Sequence, residues 1–364
     1  MQVDWISLTD FRSYETLEWS PDPGVNLLLG PNGAGKTNLL EAIGFLATLR
    51  SFRSVEEGAL IKDGADGAIL RAGISTAERS RLMEIELNRV GPRRAQVDKT
   101  RLRRTSDLLG VVRVIAFLPE DLDLVKRGPA YRRDLIDQIA LQLWPAAHLD
   151  QAEFDRALRQ RNAFLRAGER DEATLSVWDS RFAQSGGRVM GRRVAVMETL
   201  APWLEETYSS IAQRDDLAAL GYVSSWTTKQ ISTNSSGDFA ADIAVALEQS
   251  RRADYDRRLT TTGPHRDEPV FRIDGADTRT HGSQGEQRTM ALAVKLAAHR
   301  AVAEVVGEQP VLLLDDVFSE LDPDRAKALA GAIPDQAQTL ITSARPEDVP
   351  VPGSVWRVGD GVQR

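Results

Sequence analysis

The chain of 364 residues contains no cysteine. Disulfides, thiol nucleophiles and cysteine-held zinc are therefore excluded, and the composition suits a reducing cytoplasm. Histidine is scarce, and four scattered residues do not make a metal cage. No run of about eighteen apolar residues occurs, so no membrane-spanning helix is expected. The first residues, MQVDWISLTDF, carry acids and lack a basic stretch, so no secretory signal is expected. There is no internal repeat, no low-complexity tract, and no helix-turn-helix or zinc-finger spacing for base readout. A surplus of positive charge is lacking as well, since the net charge is −7. Any contact with nucleic acid must rest on a local basic surface, not on global attraction.

Two short strings stand out against these absences. The first is GPNGAGKT, residues 30–37. It follows the apolar run Val25, Leu27, Leu28, Leu29 and opens a stretch with helical spacing. Strand, glycine-rich turn and helix are the context a P-loop needs. Gly30, Gly33 and Gly35 let the backbone turn tightly and approach phosphate oxygens without a Cβ in the way. The loop from Gly30 through Pro31, Asn32, Gly33, Ala34, Gly35 and Lys36 to Thr37 and Asn38 then forms an anion-binding nest at a helix N-terminus, its donors the backbone N–H groups of all but Pro31. Lys36 reaches the β- and γ-phosphates, and Thr37 offers a hydroxyl to magnesium.

The second string is VLLLDD, residues 311–316. Four apolar residues in a row suit a strand buried on both faces of a parallel sheet. Asp315 sits where a carboxylate would hold magnesium. Asp316 either polarises an attacking water or caps the next element. Together the strings describe a nucleoside triphosphate held with magnesium at the carboxyl ends of parallel strands.

The texture between them changes along the chain. Residues 1 to about 90 read as mixed. Met83, Ile85 and Leu87 alternate with Glu84 and Glu86, a half-exposed strand. Leu39, Leu40, Ile43, Leu46 and Ala47 share one helical face. Further on, Leu175, Phe182, Val189, Val196 and Trp203 recur as a heptad seam, with Trp178 and Leu200 between. The partner helix carries Phe154, Ala157, Leu158, Phe164 and Leu165, with a turn at Gly168, Glu169 and Arg170. Gly186, Gly187 and Pro202 predict breaks or kinks in the long helix. Asn234, Ser235, Ser236 and Gly237 predict a loop. Pro269 to Ile273 reads as a strand, Glu286 to Val305 as a helix, and Leu340 to Thr342 as a last short strand. The expected organisation is a split head, residues 1–125 and 255–364, interrupted by a helical insertion, residues 126–254.

A third motif begins at His281, HGSQGEQRTMALAVKLA. Its Ser283, Gln284, Gly285, Gln287 and Arg288 resemble the signature of ABC-type ATPases, and SELD at residues 319–322 resembles their D-loop. FRSYETLEW, RSFR, FLPEDLDLVKRGPAYRRDLID, TGPHRD, SQGEQR and LLLDDVFSELD occur in order around the P-loop. This series resembles the RecF family of bacterial recombination mediators, related to Rad50 and SMC heads, and spans most of the chain.

The resemblance implies an α/β fold: an ABC-type P-loop ATPase head with a mixed sheet, helices and an antiparallel β part, plus an inserted helical arm. It implies ATP and magnesium as cofactors. Ser283, Gly285 and Gln287 would face the γ-phosphate of ATP bound by a second copy, giving an ATP-dependent homodimer with Lys36, Asp315, Asp316 and Ser283 as the catalytic set. Arg12 either contacts the nucleotide or forms a salt bridge. Glu120 falls in the Q-loop region as a third candidate magnesium ligand beside Thr37 and Asp315, although the family's glutamine is absent. Asp316 replaces a glutamate, and Thr342 and Ser343 stand where a switch histidine is common. Both departures imply slow hydrolysis, and the resemblance as a whole implies a weak, DNA-dependent ATPase.

The implied setting is cytoplasmic DNA repair on double-stranded and gapped DNA, with RecR and RecO as partners and RecA served indirectly. Candidate phosphate contacts are Arg93, Arg94, Lys99, Arg101, Arg103 and Arg104, and a second cluster of Lys126, Arg127, Arg132 and Arg133. An arm of this length reaches at most about 75 Å, at a rise of about 1.5 Å per residue, so it cannot tether distant DNA. The alternatives are a transporter's nucleotide-binding subunit, a head fused to a nuclease, and an ATP-binding DNA scaffold that never hydrolyses. No further acidic cluster supports the nuclease.

Overall fold

A computed structural model describes residues 1–53, 55–168, 170–224, 226, 239–359 and 361–364. Along the chain, β1 (Gln2–Phe11), β2 (Tyr14–Trp19) and β3 (Val25–Leu29) lead into α1 (Lys36–Thr48). Then come β4 (Gly67–Ser75), β5 (Ser80–Asn88), β6 (Arg94–Val97), β7 (Thr100–Arg101) and β8 (Val114–Phe117). The helices α2 (Pro129–Leu143), α3 (Ala147–Ala167) and α4 (Glu172–Ala212) follow, then β9 (Ala218–Val223) and α5 (Phe239–Arg257). β10 (Glu268–Ile273), β11 (Ala276–Asp277) and the short α6 (Thr278–His281) precede α7 (Gln284–Val306). The chain ends with β12 (Val311–Asp315), α8 (Pro323–Ala332), β13 (Thr339–Ser343), β14 (Ser354–Val358) and β15 (Val362–Gln363). The expected loop at Asn234–Gly237 and the turn residue Glu169 lie outside the described residues.

The architecture is the expected α/β class. One antiparallel sheet has the order β2-β1-β4-β5-β6-β7. A second, mainly parallel sheet has the order β15-β14-β3-β13-β12-β8. β12 and β13 are buried along their whole length, which accounts for the apolar run Val311–Leu314 of β12. β5 shows the opposite pattern. Met83, Ile85 and Leu87 face the core while Glu84 and Glu86 are half-buried on the other face.

Helix α1 departs from the one-sided reading. Every residue from Leu39 to Ala47 is buried, Glu41 included. One core joins it to Leu8, Leu70 and Ile85 of the antiparallel sheet and to Leu28, Leu313 and Leu340 of the parallel one. A helix with apolar partners on all sides carries no polar face. The strand at Leu340 is also not the last. β14 pairs with β3 beyond it, and β15 pairs with β14.

Two compact units emerge. The first holds Met1–Leu122, Ser210–Gln213 and Ala291–Arg364, and the second holds Asp123–Ser209 and Arg214–Met290. Residues 255–290, expected in the head, thus group with the helical insertion. The cause is local: β10 pairs along β9, and Arg132 of α2 donates to the Pro269 carbonyl at 2.8 Å and pairs with Glu268. The insertion therefore carries a small sheet, β11-β10-β9, besides its helices.

Within the second unit α3 and α4 pack as the heptad predicts. The rings of Phe154 and Phe182 lie 5.1 Å apart, and Phe164 and Leu165 cluster with Leu175. Arg193 of α4 forks onto Asp137 of α2 at 2.7 and 2.8 Å and donates to the Pro264 carbonyl at 2.7 Å. The TGPHRD motif serves packing here. His265 lies against Phe154 and Phe182, and burial pulls its pKa down to about 4, so the ring is neutral at pH 7.

The expected breaks in α4 do not occur, and the helix runs through Gly186, Gly187 and Pro202. Gly187 instead permits close approach: a Cβ there would stand 2.8 Å from the Ala240 nitrogen of α5. Replacing a mid-helix glycine by alanine ordinarily stabilises by about 0.5–1 kcal/mol. At this contact the sign reverses. Gly187→Ala is expected to cost about 1–3 kcal/mol through overpacking, read as a lower thermal midpoint of the full chain. A raised midpoint would show that α4 and α5 do not touch here.

Candidate nucleotide-binding site

The loop after β3 is built around missing side chains. Gly35 adopts φ 100°, open to glycine at little cost. A Cβ on Gly30 would stand 2.4 Å from the Val358 carbonyl oxygen of β14. Tyr14 donates its hydroxyl to the Gly35 carbonyl at 3.1 Å, and the Leu39 amide closes the first helical turn onto that carbonyl. Pro31, Asn32 and Gly33 are exposed, leaving the rim of the loop open.

Lys36 folds back across this loop. Its Nζ donates to the carbonyls of Gly30 at 2.6 Å and Pro31 at 2.9 Å. Burial depresses its pKa below the usual lysine value, while the charges of Asp316 and Asp315 oppose that shift. An incoming phosphate would supply a stronger anionic partner than two carbonyls.

Asp315 ends β12, in register with Thr342 of the neighbouring β13. It is 6% exposed. Its Oδ1 accepts from the hydroxyls of Thr37 at 2.9 Å and Thr342 at 2.7 Å. Burial raises its pKa, and the two hydroxyls and the Arg53 charge oppose the rise. Asp316 turns with φ 51° and donates its amide to the Thr342 hydroxyl at 2.9 Å. Its Oδ1 is buried without a hydrogen-bond partner. Its carbonyl, not its side chain, accepts from Ser319, so the carboxylate does not cap the next turn. Asp322, at the end of SELD, takes that capping role for α8.

The donors available for a metal are the Thr37 hydroxyl and the Asp315 carboxylate. Among the described residues no group of three or more His, Cys, Asp or Glu could hold an ion by itself. Magnesium needs only one or two carboxylates when phosphates and water complete its octahedron. These hard oxygen donors therefore fit magnesium arriving with a nucleotide. Glu120 is exposed on the turn after β8, and no hydrogen bond or ion pair joins it to Thr37 or Asp315. The neighbouring Asp121 is the buried acid there, paired with Lys295 at 2.9 Å.

Of the two readings of Arg12, the ion pair is present. Its Nε and Nη2 fork onto Glu41 at 2.8 and 2.7 Å, and Nη1 donates to the Ala59 carbonyl. Arg53, absent from the candidate residues, comes closer to the chemistry. It is 40% exposed, donates to Asn38 at 3.2 Å and lends its charge to Asp315. Its only trace in the sequence is the RSFR string.

The signature lies at the start of α7 in the second unit. Ser283 and Glu286 form a reciprocal cap: the Ser283 amide donates to Glu286 Oε2 at 2.7 Å and the Glu286 amide to Ser283 Oγ at 3.3 Å. Ser283 is exposed and Gly285 half-buried. Gln287 points inward, donating to the carbonyls of Thr278 at 3.1 Å and Gly282 at 3.0 Å. It shapes the turn ahead of Ser283 and does not present its amide to solvent.

The basic clusters separate by burial. Arg132 is 2% exposed and Arg133 donates to the Asp267 carbonyl, so both hold the second unit together. Lys126 stays exposed, and Arg127 stacks on Tyr131 at 4.5 Å. In the first cluster Arg93 pairs with Glu57, and Arg94 lies 3.5 Å from Glu86. Lys99, Arg101, Arg103 and Arg104 are exposed along one edge of the antiparallel sheet.

Strand, P-loop, helix and a buried aspartate on the next strand but one define a P-loop ATPase head of the SMC-like class. The family described as RecF/RecN/SMC N terminal domain matches residues 2–358. The chain is 39% identical to the DNA replication and repair protein RecF of Acidothermus cellulolyticus, covering 96% of each. It is 38% identical to that of Kineococcus radiotolerans, covering 96% of this chain and 94% of the other. The chain belongs to the RecF family. A solved structure of the recombination mediator protein RecF-ATPrS in the RecFOR pathway superposes with a TM-score of 0.89. It is 29% identical, and the match covers 100% of this chain and 97% of that one. An SMC head bound to the C-winged helix domain of ScpA gives 0.56 at 16% identity and shares the fold.

The burial of Asp315 carries a stability cost. A carboxylate whose pKa is raised on folding loses native stability as pH rises from its unfolded value, about 4, through the raised native value. Asp315→Asn removes that loss and keeps an oxygen for both hydroxyls. The variant is expected to be more stable than wild type by about 0.5–2 kcal/mol at pH 7 without nucleotide, with the gap closing at acid pH. Thermal unfolding across pH measures this. Equal or lower stability of the variant at pH 7 would contradict it.

Proposed function

We propose that this chain is an ATP-gated DNA clamp of recombinational repair, acting in the cytoplasm. The observation that carries the reading is the Thr37–Asp315 hydrogen bond of 2.9 Å, which joins the P-loop to the buried aspartate strand. The bound ATP-type ligand named for the RecF relative supports ATP as the nucleotide. The P-loop amides and Lys36 bind the phosphates. Thr37 and Asp315 would hold magnesium, which would supply charge neutralisation for the phosphates. Asp316 orients the attacking water and takes its proton at Oδ1, the buried oxygen without a partner. Arg53 offsets negative charge around Asp315.

Ser283 and the Gly285 amide of a second copy close over the γ-phosphate, so each ATP is completed by a neighbour. Hydrolysis removes the bridging charge and opens the pair. The aspartate in place of a glutamate and the missing switch histidine keep turnover slow. Duplex or gapped DNA binds through phosphates, and RecR and RecO are the partners the family names suggest, with RecA loading downstream. Among the described residues no helix is long and apolar enough to cross a membrane, and membership of the RecF family counts against a transporter subunit. The remaining competitor is a scaffold that holds ATP without cleaving it. Single-turnover hydrolysis by wild type, absent in Asp316→Asn, separates the two.

Ser283→Arg is expected to leave ATP affinity within about threefold of wild type and to abolish ATP-dependent dimerisation in sedimentation, since beyond the local cap to Glu286 the contact it removes is the one made across copies. Unchanged dimerisation would reject the clamp. Replacing Lys99, Arg101, Arg103 and Arg104 together by alanine should weaken DNA binding and reduce the slope of log affinity against log salt by about 3.6, near 0.9 per lost phosphate contact. An unaltered slope would move the DNA surface elsewhere.

A further inference from the structure

Thr342 is wholly buried at the end of β13, yet it carries a hydroxyl where a strand core favours valine. That hydroxyl makes two bonds at once. It donates to Asp315 Oδ1 at 2.7 Å and accepts the Asp316 amide at 2.9 Å. The first bond restrains the rotamer of a carboxylate that also accepts from Thr37 at 2.9 Å. No other hydrogen bond reaches the Asp315 carboxylate among the described residues, so Oδ2 is left for other work. The second bond restrains the backbone. Asp316 sits at φ 51°, a left-handed conformation that costs an L-residue roughly 1 kcal/mol or more and persists only when its surroundings enforce it. The turn leaves Asp316 Oδ1 buried and unpartnered beside the P-loop.

We infer that Thr342 is a positioning residue for the nucleotide reaction: one hydroxyl sets the Asp315 carboxylate toward the P-loop and pins the turn that aims Asp316. The assignment rests on the ATPase reading above. It concerns the strand end where the family places a switch histidine, and it gives that position a different task. One side chain governs both acids, because each depends on the same oxygen.

A purely structural threonine predicts something else. Valine has the same shape and a better strand propensity, so packing alone would tolerate it with at most a change in stability. The test is nucleotide binding by the full chain, followed with a fluorescent ATP analogue in excess magnesium and in excess chelator. For Thr342→Val, affinity in chelator should stay within about twofold of wild type. The tightening that magnesium confers should fall by about tenfold, the scale seen when a group holding a metal ligand is lost. Single-turnover hydrolysis should fall by about tenfold or more. Thr342→Ser, which keeps the hydroxyl, should restore both to within about threefold. Thr342→Ala removes the hydroxyl without adding bulk and should repeat the valine result if the valine variant fails to fold. A magnesium effect in either variant equal to that of wild type would overturn the assignment, as would failure of serine to rescue. A wild-type protein that binds the nucleotide equally with and without magnesium would instead overturn the ATPase reading beneath it.

Discussion

The structure turns on one buried carboxylate. Asp315 is taken out of water at the end of a strand buried throughout, with two neutral hydroxyls as its direct hydrogen-bond partners. Hydroxyls stabilise the charge less than a salt bridge would. That shortfall leaves the carboxylate available to a cation that is not part of the chain. A lysine or arginine bonded directly to it would have made a more stable fold and a poorer site. Lys36 and Arg53 act on it through charge, so the field around Asp315 is partly balanced and its oxygens remain usable.

The first unit is arranged to hold that carboxylate and the P-loop at a fixed distance. β3 and β12 are separated by β13, which pairs with both. A parallel ladder sets the strand ends level, and β13 brings the Thr342 hydroxyl between the loop and the aspartates. α1 cannot drift because apolar side chains enclose it from both sheets. Its one buried acid, Glu41, is matched by the fork of Arg12, and the unpaired charge would otherwise be costly. The Arg12 ion pair is therefore part of what keeps the P-loop helix seated, whatever else the residue meets.

Much of this was legible in the sequence, and the reasons differ by element. The P-loop and VLLLDD were readable because phosphate and metal chemistry tolerate few residue types at few spacings. The α3–α4 pairing was readable because a heptad seam is periodic. The continuity of α4 was not, since the glycines that weaken a helix in isolation are the same ones that admit α5 at Ala240. The grouping of residues 255–290 with the insertion was hidden because β9 pairs with β10 across a long stretch of sequence. Arg132 and Arg133 look like surface charge in a string of letters. Only burial separates them from Lys99 and Arg101. Thr342 was visible as a missing histidine, but its hydroxyl gained meaning only from the register that sets it beside Asp315.

The helix that begins at Ser283 adds a constraint from the other unit. Its first turn presents unpaired amides and the positive end of a dipole, which attract anions. In this chain an anion is already there. Glu286 accepts the Ser283 amide, and that bond and the Ser283 hydroxyl bond pull its pKa below the usual value. A phosphate docking at the same turn must share those donors with the carboxylate or displace it. Sharing sets two negative groups within a few ångströms, where each weakens the other's binding. Displacement needs a cation for Glu286, and Arg214 stands 3.9 Å away. The terminus is thus a site whose affinity for an external anion is set by an internal one. On the clamp reading proposed above, this competition would weaken the contact across copies and favour its reopening.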